Sequence, residues 1–248
     1  NSKEDLKSFR LPEIDDTWML GITFGKSQFG ERAIVLMLPD PFKTMWALRG
    51  RMENTLIAYI DDPELSLAIA DLATEFCIQA YHKGREAGAD AFIVCGDLAM
   101  NETTMMSPAQ FRKYILPCYE KLVSEIHSNG DIILKHSDGN LWPIFDDLMG
   151  AGFDGLHPIQ PQCMDIGEVK GKLAGKAAVL GNIDCLDLLP SATPEEVEET
   201  VKETIRVAAP GGGYVLSSSN TIHPDVKTEN ALAMWRAARK YGRYPIEL

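Results

Sequence analysis

Short apolar runs rich in β-branched residues alternate along this chain with longer amphipathic segments, and that alternation restricts the fold more than any other feature. It is the rhythm of βαβ units around a parallel sheet, whose strands are covered on both faces and therefore read as near-continuous apolar runs. Six such runs are predicted as strands: Ala33 to Leu38, Ala91 to Cys95, Ile132 to Lys135, Phe153 to Leu156, Ala177 to Leu180, and Tyr214 to Leu216. The helices between them carry end signals. Asp62-Pro63 opens a long helix that Gly88 closes, and Ser107-Pro108-Ala109-Gln110 is a capping box with Pro at the first helical position, closed near Gly130. Pro117 predicts a kink in that second helix. Thr193-Pro194-Glu195-Glu196 repeats the capping box, and Thr228 with Glu229 begins a last helix that reaches about Tyr241. No linker or repeat of fixed period divides the sequence, so residues 1–248 read as a single domain.

Alternation leaves two architectures, an open doubly wound sheet or a closed (β/α)8 barrel. No GxGxxG or Walker loop follows any strand, which weighs against a nucleotide-binding sheet. The polar residues weigh for the barrel. Nearly every strand ends, within about three residues, in a group capable of chemistry: Asp97, then His136 and Asp138, then His157, then Asn182 and Asp184, then Ser217 to Asn220 and His223. In a parallel barrel these ends converge on one face, so an enzyme cleft is expected there.

Composition narrows the partners. A net charge of −12, with no cluster of Lys and Arg to neutralise a row of phosphates, makes nucleic acid and anionic membrane surfaces poor partners. The longest apolar stretch, Ala33 to Pro39, is far short of the roughly 20 residues that span a bilayer, and the first 30 residues carry no signal-peptide pattern. A cytoplasmic location is the expectation. Five cysteines, none spaced as CxxC, indicate reduced thiols rather than a disulfide framework or a zinc ribbon.

Each candidate has a plainer reading beside the functional one. His136 and Asp138 stand at i and i+2 where a strand runs out, so both side chains can face one way, as a metal pair or an acid/base pair; the alternative is a core histidine and a helix-capping aspartate. Asp97 would be a further carboxylate at the same mouth. His157 precedes Pro158 and serves either substrate or a loop hydrogen bond. Asn182 and Asp184 leave a strand at the active face, yet both are ordinary turn residues. Cys185 reads as a structural thiol before a soft-metal ligand. The run Ser217-Ser218-Ser219-Asn220-Thr221, beyond the last strand, supplies hydroxyls, an amide and backbone N–H groups for holding a carbonyl or an anion, or else forms a polar loop.

The segments Phe42 to Gly50, Asp97 to Pro108, His136 to Asn140, Gly181 to Asp184, and Ser219 to Asp225 with Glu229-Asn230 resemble, in this order, the uroporphyrinogen decarboxylase superfamily. That superfamily holds both the haem-pathway decarboxylase and cobalamin-linked methyltransferases. The resemblance implies a (β/α)8 TIM barrel, here lacking the first two βα units, since full members carry roughly another hundred residues before the equivalent of Asn1. The free edges this would leave at Ala33–Leu38 and Tyr214–Leu216 are expected to be filled by a missing segment, a partner chain or a rearranged terminus.

Within the superfamily, the decarboxylase places a His where this sequence has Asn220, and a substrate with eight carboxylates asks for a basic mouth. The coenzyme M methyltransferases hold zinc with a His-x-Cys pair and a later Cys; the matching positions here read His136-Ser137-Asp138 and Asn220, so the His is retained and both thiolates are replaced. The resemblance therefore implies a methyltransferase-like enzyme that moves a methyl group between a small O- or N-methyl donor or thiol and a corrinoid protein. His136 and Asp138 would serve as metal ligands, for zinc or another divalent metal, or as acid/base groups with Asp97. His157, Asn182, Asp184, Ser219, Asn220 and His223 would contact substrate. The alternatives are a uroporphyrinogen decarboxylase of porphyrin biosynthesis and a non-catalytic barrel fragment, and a homo-oligomer is compatible with either.

Overall fold

A computed structural model describes residues 3–246 as a parallel α/β chain with two compact units. The first unit takes in the chain up to Leu98 together with Thr104–His136 and Pro143–Phe153; the second takes in Ala99–Thr103, Ser137–Trp142 and the chain from Asp154 onward. Six strands occur among the described residues, each within three residues of the ends expected from the sequence.

In the first unit the strands are β1 (Val35–Pro39), β2 (Ala91–Cys95) and β3 (Ile133–His136), with β2 parallel to both neighbours in the registers Val35↔Ala91 and Phe92↔Ile133. The helix Pro63–Glu86 connects β1 to β2 after a second short helix. Its start is fixed as the sequence predicted, with Asp62 accepting from Leu65 N at 3.0 Å and proline at the first position. It lies so close to the strands that a Cβ on Gly84 would stand 2.0 Å from Leu36 Cδ2, so this contact requires glycine. Phe42, Tyr81, Phe92, Phe111, Tyr114 and Tyr119 fill the core and are wholly buried.

The Ser107 capping box is present in full. Beyond it the helix widens into a π turn over Phe111–Ile115 before continuing as Leu116–Ser128. Pro117 has no N–H to return to the preceding turn, and the wider turn lies directly before it.

In the second unit β4 (Gly155–His157), β5 (Ala178–Ile183) and β6 (Tyr214–Ser218) are parallel, in the registers Gly155↔Ala178 and Val179↔Tyr214. The helix Pro194–Ala208 buries Val197, Val201 and Ile205 against Ala233 and Ala237 of the last helix, Thr228–Tyr241. The spacing of these residues, four along each helix, keeps them on one helix face. On the edge strands β1 and β6, Met37 and Val215 are exposed (69% and 51%). No helix among the described residues is long and apolar enough to cross a membrane.

Candidate active site

The first unit carries a carboxylate–imidazole pair at its strand ends. His136 is the last residue of β3, and its Nε2 lies 3.6 Å from Oδ1 of Asp97, two residues past β2. Register alone explains the meeting, because Cys95 pairs with His136 and the chain after β2 turns across the end of β3. Burial holds the imidazole below its ordinary value of 6.5; Asp97 opposes that shift, while Lys135 and Lys43 add to it. A neutral ring beside a carboxylate is the form that accepts a proton or ligates a metal.

Asp138 follows His136 by two residues and belongs to the second unit, where it helps to line a cavity of about 250 Å³. Gln160, Cys185, Leu186, Ser219, Asn220, Thr221 and His223 complete the lining. The wall is heavily hydrogen-bonded. Asn220 Nδ2 donates to Asp138 Oδ2 at 2.5 Å, and Asn220 Oδ1 accepts from Thr221 N at 2.7 Å. Ser219, only 3% exposed, accepts from Cys185 N at 3.1 Å and donates to Cys185 Sγ at 3.3 Å. His223 Nε2 donates to the carbonyl of Cys185 at 2.8 Å.

The loop bearing Asp138 is braced from below. Gly139 N donates to Gln160 Oε1 at 2.8 Å, and Asn140 N donates to the carbonyl of Met100 at 2.8 Å. Gly139 has φ +89°, and a Cβ there would stand 2.6 Å from the carbonyl carbon of Ala99. The backbone approach that positions Asp138 is open to glycine alone.

Of the residues the sequence singles out, Asp138, Ser219, Asn220 and His223 line this cavity, and Asp97 and His136 pair at the strand ends of the first unit. The others lie elsewhere. Asn182 is buried and donates to the carbonyl of Ile159 at 2.9 Å, bracing the loop after β4. Asp184 accepts from the N–H groups of Leu186, Asp187 and Leu188, the turn role weighed above, and faces an open groove with Asp187, Glu196, Glu199 and Glu203. His157 ends β4, its carbonyl accepts from Ser137 N at 3.0 Å, and it is not among the cavity's lining residues.

Sequence reasoning passed over Gln160 and Leu186, and set Cys185 aside as structural; Thr221, part of the polar run beyond the last strand, also lines the cavity. Gln160 had a signal: it lies three residues beyond the His157 strand end, in a polar Gln-Pro-Gln run. Leu186 had none, because an apolar residue in a loop is common everywhere.

Residues 30–241 match the family model described as Uroporphyrinogen decarboxylase (URO-D). The chain is 23% identical over 199 residues to a methylated-thiol–coenzyme M methyltransferase of Methanosarcina mazei, covering 78% of this chain and 52% of that protein. It is 27% identical over 186 residues to a uroporphyrinogen decarboxylase of Pseudomonas fluorescens, covering 73% and 49%. The chain thus spans about half the length of these relatives. A solved methyltransferase structure from Methanosarcina mazei superposes with a TM-score of 0.77 at 22% identity, covering 91% of this chain and 64% of that one, which is a likeness of fold.

Proposed function

Because this chain belongs to the uroporphyrinogen decarboxylase family, we propose that it acts as a methyltransferase-like member, transferring a methyl group between a small O- or N-methyl donor or thiol and a corrinoid protein. The expected frame is the (β/α)8 barrel. The cavity in the second unit carries the choice between the two activities found among the relatives. At about 250 Å³ it suits a small molecule, and its lining residues include no Lys or Arg. A porphyrinogen bearing eight carboxylates calls for a large, basic mouth, so decarboxylation of that substrate is the less favoured reading.

The donor set fits a divalent metal. The ligands in this reading are His136 and Asp138, two residues apart in the chain, with Asp97 standing 3.6 Å from the imidazole; an imidazole nitrogen and carboxylates are a harder set than the thiolates of the resembling methyltransferases, suited to zinc or a harder divalent ion. The imidazole, held below its ordinary value by burial, is in the neutral form that ligation requires. A metal bound there supplies Lewis-acid polarisation of the leaving oxygen or nitrogen. The chain's own residues do the rest. Asn220 fixes the direction of the Asp138 carboxylate, Ser219 and His223 hold the Cys185 backbone that forms the opposite wall, and Leu186 gives an apolar surface to a methyl-bearing substrate.

The test is equilibrium dialysis of the purified protein against zinc, read by elemental mass spectrometry. It is paired with an assay for methyl transfer from small ethers, methylamines and thioethers to free reduced cobalamin. About one zinc per chain that is lost in His136→Ala, with donor-dependent methylcobalamin formation, is the expected result. Turnover of uroporphyrinogen by metal-free protein, with no methyl transfer, would overturn the reading.

A further inference from the structure

One fully buried ion pair has no part in the chemistry above. Lys135 Nζ lies 2.8 Å from Asp40 Oδ2, and both side chains are 0% exposed. Removing two charges from water costs several kcal/mol per ion, and an apolar pair of similar volume is often as stable, so burial of this pair is poorly explained as a source of stability alone. Its contacts indicate another role. Asp40 is the first residue after β1, Gly96 the first after β2, and Lys135 the next-to-last residue of β3. Lys135 Nζ donates to the carbonyl of Gly96 at 2.7 Å as well as to Asp40. Asp40 in turn accepts from Tyr119 Oη at 2.6 Å and caps the helix Pro41–Arg49 by accepting from Lys43 N at 3.2 Å.

Gly96 is therefore held from two sides: its carbonyl by Lys135, and its N–H by the carbonyl of His136 at 3.4 Å. The approach is so close that a Cβ on Gly96 would stand 2.5 Å from Cβ and Cγ of Asp40. The next residue is Asp97. Lys135 and His136 are adjacent on β3 and point to opposite faces of the strand, so the group that clamps Gly96 and the imidazole that meets Asp97 are set by the same two residues. We infer that Lys135 and Asp40 are positioning residues, whose buried pair ties the ends of β1, β2 and β3 together and thereby sets Asp97 against His136. The inference takes its catalytic meaning from the metal-binding methyltransferase reading, but the geometry it explains is independent of that reading.

The experiment compares Lys135→Met, the double variant Asp40→Asn/Lys135→Met, and the milder Asp40→Asn, which removes the charge and keeps one of the two side-chain oxygens that accept from Lys43 N and from Tyr119 Oη. Each is measured by urea unfolding, by zinc affinity in competition with a chelating dye, and by NMR of the His136 ring in metal-free protein, with Asp97→Asn as the reference for a lost contact. Lys135→Met should be destabilised by an uncompensated buried carboxylate, and the double variant should regain most of that stability. Positioning predicts that the double variant nevertheless keeps a ring signal close to that of Asp97→Asn. It should bind zinc about ten- to a hundredfold more weakly than the parent, as expected for loss of a group that orients a ligand. A double variant that regains stability, the parental ring signal and the parental zinc affinity together would overturn the inference. Should the double variant fail to fold, Asp40→Asn decides: a ring signal unchanged from the parent overturns the inference, and a shift toward that of Asp97→Asn supports it. If the parent protein binds no zinc, the functional reading fails while the ring signal still decides the positioning.

Discussion

The side-chain amide of Asn220 donates to Asp138 across 2.5 Å, joining residues 82 positions apart in the chain. Asp138 lies two residues past β3 and Asn220 two residues past β6. A hydrogen bond to a carboxylate is charge-assisted and directional, so residue 220 acts on the cavity by fixing how Asp138 faces it. In the resemblance this is the position of a histidine in the decarboxylase and a cysteine in the zinc methyltransferases. Here the residue holds a carboxylate in place.

Replacing Asn220 by Ala should change folding little, because the position is exposed. Methyl transfer should fall about tenfold or more in kcat/KM, the kinetic counterpart of one charge-assisted hydrogen bond. Steady-state kinetics beside a thermal melt checks both; an equal loss of stability and activity would contradict the local role.

Gly139→Ala should be severe. The new Cβ would press on the backbone of Ala99 and Met100 in a residue held at φ +89°, and neither neighbour is a flexible side-chain end that can swing away. The expected loss is about 2–4 kcal/mol, combining overpacking with a left-handed conformation. Urea unfolding measures it.

Thr193→Ala removes half of a capping box in which Thr193 Oγ1 accepts from Glu196 N and Glu196 Oε2 accepts from Thr193 N. The helix it starts carries the core of the second unit, so the loss of about 0.5–2 kcal/mol should appear in global unfolding rather than in local fraying. Hydrogen exchange along Pro194–Ala208 separates the two outcomes.

Burial pushes the Cys118 thiol up from 9.0 to about 11, with Asp71 and Asp40 adding to the shift and Thr74 opposing it. The folded state then keeps a proton that the unfolded chain has released, so stability should fall as pH rises from 9 to about 11. The slope for a single thiol is at most about 1.4 kcal/mol per pH unit. Chemical denaturation across that window should show a smaller fall in stability for Cys118→Ala than for the parent, the remainder coming from Cys95 and Cys77, whose thiols burial also pushes up.

Much of the fold was legible because its signals are local. Asp62-Pro63, Ser107-Pro108 and Thr193-Pro194 start helices through contacts made within three residues, so the sequence contains both partners. Pro117 was legible as a disturbance but not as a π turn, since the form depends on how Phe111, Tyr114 and Ile115 are buried. The strand-end rule singled out Asp97 and His136, which pair, and Asp138, Ser219, Asn220 and His223, which line one cavity, because β-strand ends are visible in hydropathy. It could not separate these from Asp184, whose carboxylate is taken up by three N–H groups of its own turn.

By itself, then, the sequence determined the order and kind of the elements, their caps, the acidic balance and the family, all of which follow from residues near one another in the chain. Tertiary structure alone decided which polar groups meet. Lys135 read only as part of an apolar strand until its ammonium was found beside Asp40, 95 residues away. Cys185 became a cavity wall only through Ser219, 34 residues on, and Asp138 gained its orientation from Asn220. Hydrogen bonds and ion pairs act over about 3 Å in space whatever the separation along the chain, and only packing brings such partners within reach.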